Sequence, residues 1–241
     1  MQVDTLMAAS RPFIEWVVNW RNDLERLPLE SVIVEPERTA ILAIDLLRGF
    51  CYQGPLASER AASTIQPVVK LFQAAHARGV RHFILPQEHH PADAIEFESY
   101  GPHCIAGTLE AETVPELAEL PFSDLFVVVE KNSINPFIET RLESWLQEHP
   151  QVNTFIVVGV CTDICAYQLA MHLRLRANAL QMSDVRVVLP VDCSQTYDLP
   201  VPVAQQIGAV PHDGDLLHLI FLYHIMLNGV EVVKGLGMGD E

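Results

Sequence analysis

Six short, continuously apolar segments separated by helix-like stretches predict a doubly wound α/β domain: a mostly parallel, six-stranded sheet with helices on both faces. Three observations carry this expectation. The strand candidates are apolar throughout and rich in β-branched residues, as strands buried on both faces are. Helical stretches separate most of them, which is the connection parallel strands need. Of the 241 residues, 49% are hydrophobic and 19% charged, enough apolar material for one large domain.

Two regions are expected, an N-terminal helical extension over residues 1–38 and the α/β domain over residues 39–241. In the extension, Phe13, Trp16, Val17, Trp20, Leu24 and Leu27 recur near helical spacing, which predicts an amphipathic helix over residues 11–26. A connection over residues 28–38, with prolines at 28 and 36, leads into the first strand, TAILAID at 39–45. A helix over 58–78 ends at Gly79, followed by strand VRHFILP at 80–86. The third strand is DLFVVVE at 124–130, then a helix over 137–148 stopped by Pro150. The fourth is TFIVVGV at 154–160, followed by a helix over 163–176. VRVVLPV at 185–191, a helix over 213–227 and strand GVEVVKG at 229–235 complete the pattern. Residues 87–123 break it, a long connection rich in His, Glu, Pro and Gly, and connections of that length in a compact domain usually carry function.

Charge narrows the partners. Fifteen Lys and Arg against 31 Asp and Glu leave a net charge of -16, which repels nucleic acid phosphates and anionic lipid, so neither nucleic acid nor membrane is an expected partner. The first residues lack a basic stretch followed by an apolar core, and the apolar segment 216–227 is too short to span a bilayer. A cytoplasmic location is expected. Five cysteines, an odd number scattered along the chain with no CxxC pair, argue against a disulfide framework or a zinc knuckle. The amphipathic N-terminal helix and the 216–227 segment point to a homo-oligomer, the alternative being that both cover the sheet of a monomer.

In open α/β sheets the ligand lies beyond the carboxyl ends of the strands. Three reactive side chains fall at such ends: Asp45 after strand one, Lys131 after strand three and Cys165 after strand four. In FIVVGVCTDIC, residues 155–165, Cys165 stands in the first turn of the following helix. Unpaired N–H groups and the helix dipole there favour a thiolate, so a depressed thiol pKa is expected. The alternative is a buried structural cysteine. With Asp45 to move a proton and Lys131 to hold the charges, the three side chains make a cysteine nucleophile the sharper reading.

The segments AILAIDLLRGFC, EKNSINPF and GVCTDICA resemble, in order, the three catalytic segments of the isochorismatase-like cysteine hydrolase superfamily, which includes the nicotinamidases. The resemblance implies the isochorismatase-like hydrolase fold and a catalytic triad of Asp45, Lys131 and Cys165. It further implies a cis peptide before Cys161, whose N–H with that of Cys165 would form an oxyanion hole. The implied reaction is hydrolysis of a small-molecule amide through a thioester, with nicotinamide the default substrate. The long connection is similar to the metal-binding segment of nicotinamidases, which implies Glu88, His90 and His103 as ligands of a divalent ion, zinc or iron. Three departures stand there: Glu88 replaces the usual Asp, Ala94 falls on a further His, and Tyr100 replaces a Trp. Glu96 lies near the vacant position, and a metal-free, hydrogen-bonded lid is the competing expectation. Near Asp45 the usual D-x-Q-x-D-F becomes D-L-L-R-G-F. Phe50 survives, and with Leu47, Tyr100 and Phe137 it is expected to form an apolar, substrate-binding wall. The competing functions are an isochorismatase-type vinyl-ether hydrolase, which needs no nucleophilic thiol, and a non-catalytic homologue acting as a binding subunit.

Overall fold

Strand β2 (Thr39–Ile44), buried at every residue, forms the centre of the sheet, and its side chains divide two cores between them. In the computed structural model residues 2–238 are described; residue 1 and residues 239–241, the outer ends of the two assigned regions, lie outside the described residues. Ile41 and Ala43 face one core with Phe83, Leu85, Ile156 and Val158, closed by Val68, Leu71 and Phe72 of helix α2 (Ile65–Ala77). Ala40, Leu42 and Ile44 face the other with Ile84 and Val157. That core is closed by helices α3 (Leu142–Glu148), α4 (Cys165–Ala179) and α6 (Gly214–Leu227). This two-sided burial is why the strands read as unbroken apolar runs.

The main sheet has seven strands, one more than expected. Its order is β4 (Phe126–Lys131), β3 (His82–Glu88), β2, β5 (Thr154–Val160), β6 (Arg186–Pro190) and β8 (Glu231–Val233), all pairs being parallel. The extra strand is β7 (Ser194–Gln195), which pairs with the carboxyl end of β5 beyond the reach of β6. Two residues are too short to leave a hydrophobic pattern, which is why periodicity could not reveal it. The chain runs outward in opposite directions from β2 and β5, so their carboxyl ends form the switch point where a ligand crevice opens.

Several boundaries differ from the sequence expectation. The helix over 58–78 breaks into a single turn, Glu59–Ala62, and α2, because Pro67 has no N–H with which to continue the first turn. The helix over 137–148 starts only at Leu142, since Glu139 is left-handed (φ 52°) and Thr140 turns its hydroxyl to the Pro136 carbonyl. The strand over 229–235 splits at Lys234 into β8 and β9 (Gly235–Gly237), and β9 pairs in parallel with β1 (Arg26–Pro28) as a separate two-stranded sheet. Helix α1 runs Val3–Asn22, earlier than residues 11–26, and Phe13, Trp16 and Trp20 ring Tyr223 of α6 edge-on at 5.1, 5.9 and 6.4 Å. Helix α5 (Val201–Ile207) hangs from the segment between β7 and α6. Among the described residues no helix is long and apolar enough to cross a membrane.

Candidate active site

Four strands deliver one polar side chain each to the crevice. Asp45 follows β2 in a left-handed conformation (φ 55°), a strained backbone geometry for a residue with a Cβ. Its N–H donates to the Pro86 carbonyl at 3.0 Å, and its Oδ1 accepts the Glu88 N–H at 2.9 Å. Glu88 and Lys131, the last residues of neighbouring strands β3 and β4, are register partners. Cys165 opens α4 just beyond β5. The turn between them starts at Cys161, and the Val160–Cys161 peptide is cis. Among the described residues, the N–H groups of Cys161 and Cys165 have no protein acceptor. Gly159 has to be glycine: at φ 112° a Cβ would meet the Ile44 carbonyl oxygen of β2 at 2.0 Å.

Lys131 Nζ is the hub. It lies 2.9 Å from Asp45 Oδ2, 3.0 Å from Glu88 Oε1 and 3.6 Å from Cys165 Sγ, and all four side chains are buried. Burial raises the Asp45 carboxyl to about 6, Lys131 pulling it down and Glu88 pushing it up. Burial also opposes the charge on Glu88, but Lys131 and a hydrogen bond from His103 overcome it, with the His90 ring close by, and hold that carboxyl well below its usual range. Burial works against the Lys131 ammonium too, yet the carboxylates of Asp45 and Glu88 keep it charged, well above the ordinary lysine range. Cys165 departs from the depressed pKa expected of a helix first turn. Its thiol is pushed well above the usual range by burial, with Asp45 and Glu88 reinforcing the shift against Lys131. One ammonium between two carboxylates has too little field left to ionise a thiol, so the resting sulfur is protonated.

Glu88 joins this cluster to a second one. Its Oε2 lies 2.9 Å from His103 Nε2 and 3.3 Å from His90 Nε2. Donor atoms of Glu88, His90, Glu96 and His103 all lie within 4.8 Å of one another. His90 Nδ1 is held by Asn132 Oδ1 at 2.7 Å and His103 Nδ1 by the Gly101 carbonyl at 2.7 Å, which turns both Nε2 atoms inward. Among the described residues, two buried atoms here, His90 Nε2 and Glu96 Oε1, have no hydrogen-bond partner. Two imidazoles oriented through their other nitrogens, with two carboxylates, are a donor set that fits a divalent ion.

Above the clusters lies a cleft whose apolar walls include Phe50, Leu56, Tyr100, Ile134, Ile164 and Tyr197, with Cys161 and Cys165 also in its lining. Among the described residues no lysine or arginine side chain lines it. Phe50 and Tyr100 stand where the sequence put them. Phe137 does not: it stacks on His172 at 3.6 Å, because the break before α3 turns it away from the cleft. Leu47 is fully buried in the core instead of lining the wall. Tyr197 and Ile134 went unrecognised because each sits in a loop with no periodic signal, although Ile134 belongs to the quoted EKNSINPF segment.

Residues 39–206 match the Isochorismatase domain family. The chain is 32% identical over 212 residues to Nicotinamidase 1 of Arabidopsis thaliana, covering 80% of this chain and 84% of that protein. It superposes on a cysteine hydrolase from Pseudomonas syringae with a TM-score of 0.65 at 23% identity, covering 89% of this chain and 93% of the other. N-carbamoylsarcosine amidase from Thermoplasma acidophilum gives a TM-score of 0.62 at 20% identity, over 82% of this chain and 96% of the other. Those last two likenesses concern the fold, the parallel sheet with its flanking helices. The family match spans most of the chain, including the ends of β2, β3, β4 and β5 where the polar side chains converge, and on it the chain belongs to the isochorismatase-like hydrolase superfamily.

Proposed function

We propose that the protein is a cysteine amidohydrolase that cleaves a small, uncharged, planar amide through a thioester on Cys165, with nicotinamide as the leading substrate. The observation that carries the reading is the convergence of Asp45, Lys131 and Cys165 at an apolar cleft that contains no cationic wall. The substrate carbonyl oxygen points to the free N–H groups of Cys161 and Cys165. As Sγ attacks the carbonyl carbon, the thiol proton passes to Asp45, and Lys131 balances the buried charge. A carboxyl raised to about 6 is suited to taking that proton and returning it near neutral pH. Asp45 then gives the proton to the amide nitrogen, the C–N bond breaks and ammonia leaves. Water attacks the thioester, losing one proton to Asp45. The C–S bond breaks, the acid departs and the thiol is protonated again.

The similarity to Nicotinamidase 1 of Arabidopsis thaliana supports this substrate class. The cleft itself supports a neutral ligand. Isochorismate carries two carboxylates and N-carbamoylsarcosine one, and neither would meet a lysine or arginine among the described lining residues. A zinc or iron ion would be held by Glu88, His90, Glu96 and His103, supplying a Lewis-acid anchor for a substrate lone pair when bound. Five free, buried cysteines suit a reducing compartment, in keeping with a cytoplasmic enzyme. The exposed apolar side chains of α1, among them Leu6, Met7 and Trp16, support assembly with further copies.

The test is ammonia release from a panel of aromatic amides, aliphatic amides and ureido acids, set against pyruvate release from isochorismate. Ammonia from neutral aromatic amides is the expected result. Pyruvate release, or turnover confined to ureido acids, overturns the reading.

A further inference from the structure

We propose that Tyr197 is a specificity-determining wall of the cleft and that His212 is the positioning residue that holds it, so that the favoured ligand is a flat ring against an aromatic face. The chemistry rests on the amide-hydrolase reading; the binding does not.

Tyr197 lies in the segment after β7 and lines the cleft together with Phe50 and Tyr100. The chain around it has little packing of its own. From residue 198 to residue 211, an excursion that carries α5, Ala204 is the one buried residue. Val201, Ile207 and Val210 are exposed. A segment with so few buried contacts is held by its specific polar bonds, and His212 supplies most of them. Its ring stacks on Tyr197 with centroids 3.9 Å apart and planes 18° from parallel. Its Nδ1 lies 3.0 Å from the Tyr197 carbonyl oxygen and its Nε2 2.7 Å from Asp163 Oδ2. Both ring nitrogens are thus within hydrogen-bond reach of an oxygen, one on the Tyr197 backbone and one on the nucleophile turn. The His212 backbone closes the excursion by exchanging hydrogen bonds with Leu199 at 2.7 and 2.9 Å.

The other end of the clamp is in the nucleophile turn. Asp163 stands between Cys161 and Cys165, and its second oxygen accepts the Thr196 hydroxyl. One carboxylate therefore ties the residue before Tyr197, and through His212 Tyr197 itself, to the turn that bears the reactive sulfur. The distance between the aromatic wall and the attacking atom is set by that link. His212 lies beyond residues 39–206, the span of the family match.

The experiment measures dissociation constants for nicotinamide and isobutyramide by calorimetry on Cys165→Ala protein, which binds without turnover. Adding Tyr197→Ala is expected to lower the aromatic-over-aliphatic preference about tenfold, the size of a lost ring contact with its burial, whereas Tyr197→Phe keeps it within about twofold. His212→Ala should lower the preference in the same direction, and no further when combined with Tyr197→Ala, because it acts through that ring. A merely structural role would weaken both ligands alike. The inference is overturned if Tyr197→Ala leaves the preference unchanged, if the His212 and Tyr197 effects add, or if nicotinamide does not bind. Should His212→Ala fail to fold, the Tyr197 pair alone decides the wall, and His212→Gln, which keeps one donor, decides the clamp by the same non-additivity. Loss of the preference on Tyr197→Ala, with no ammonia released by the protein that keeps Cys165, would fault the hydrolase reading and leave the wall standing. Ammonia release with an unmoved preference would do the reverse.

Discussion

Replacing Lys131 by Met should cost the fold about 3–5 kcal/mol at pH 8, the loss expected when one partner of a buried ionic cluster is removed. The geometry explains the size. The ammonium is fully enclosed, 2.9 Å from Asp45 and 3.0 Å from Glu88. At an effective dielectric of about 20, a unit pair at that separation attracts by about 6 kcal/mol, much of which offsets the desolvation of the charges. Without the lysine, two buried carboxylates that lie close together have no cation between them. The penalty should shrink as the pH falls, because Asp45, already raised to about 6 with the lysine present, takes up a proton and relieves the repulsion. Urea unfolding at pH 8 and pH 5.5, followed by circular dichroism with comparable m-values, measures this. Adding Asp45→Asn to Lys131→Met should recover about half of the lost stability at pH 8 while hydrolysis stays absent. A loss below about 1 kcal/mol at pH 8, or no recovery in the double variant, would refute the picture of one lysine balancing two carboxylates.

Other outcomes follow from the same structure. Cys165→Ala should lower amide turnover by a factor on the order of 10⁴ or more with the fold intact; substantial residual ammonia release would sink the thioester route. His218, buried in α6 with Nδ1 2.9 Å from the Thr162 hydroxyl, has its pKa lowered to about 4 by burial and then by Arg21 and Arg60. Its neutral form is the native one, so its contribution is complete above the unfolded value of about 6.5 and is lost as the pH falls from there to about 4, in total about 3 kcal/mol. His218→Gln should flatten that part of the stability profile, and identical wild-type and variant slopes between those pH values would contradict it. Zinc titrated into the metal-free protein should bind near one ion per chain by mass spectrometry, and Glu96→Gln should weaken binding about tenfold or more, an unchanged affinity removing Glu96 from the donor set.

Much of the candidate site was legible because its parts sit at the ends of strongly patterned strands. Asp45, Lys131 and Cys165 could be proposed together from the rule that ligands gather at the carboxyl ends of parallel strands, and they lie within one cluster. The departures have local causes. Phe137 was misplaced because Glu139 and Thr140 break the helix that would have pointed it inward. The charge state of Cys165 was misjudged because a first-turn argument counts the helix dipole and Lys131 but cannot count burial or the second carboxylate, Glu88, arriving from β3.

The sequence by itself determined the fold class, the order of the principal elements and the residue types offered at the crevice, since burial pattern and strand-end position are properties of short segments. Only the tertiary structure decided which groups share a field. Glu88 joins the lysine to the histidine cluster, the thiol is protonated at rest, and Tyr197 lines the cleft from a loop held by a histidine fifteen residues further on. These are contacts between segments far apart in the chain or joined by unpatterned loops. Periodicity carries no information about them, while Coulomb energy and desolvation depend on little else.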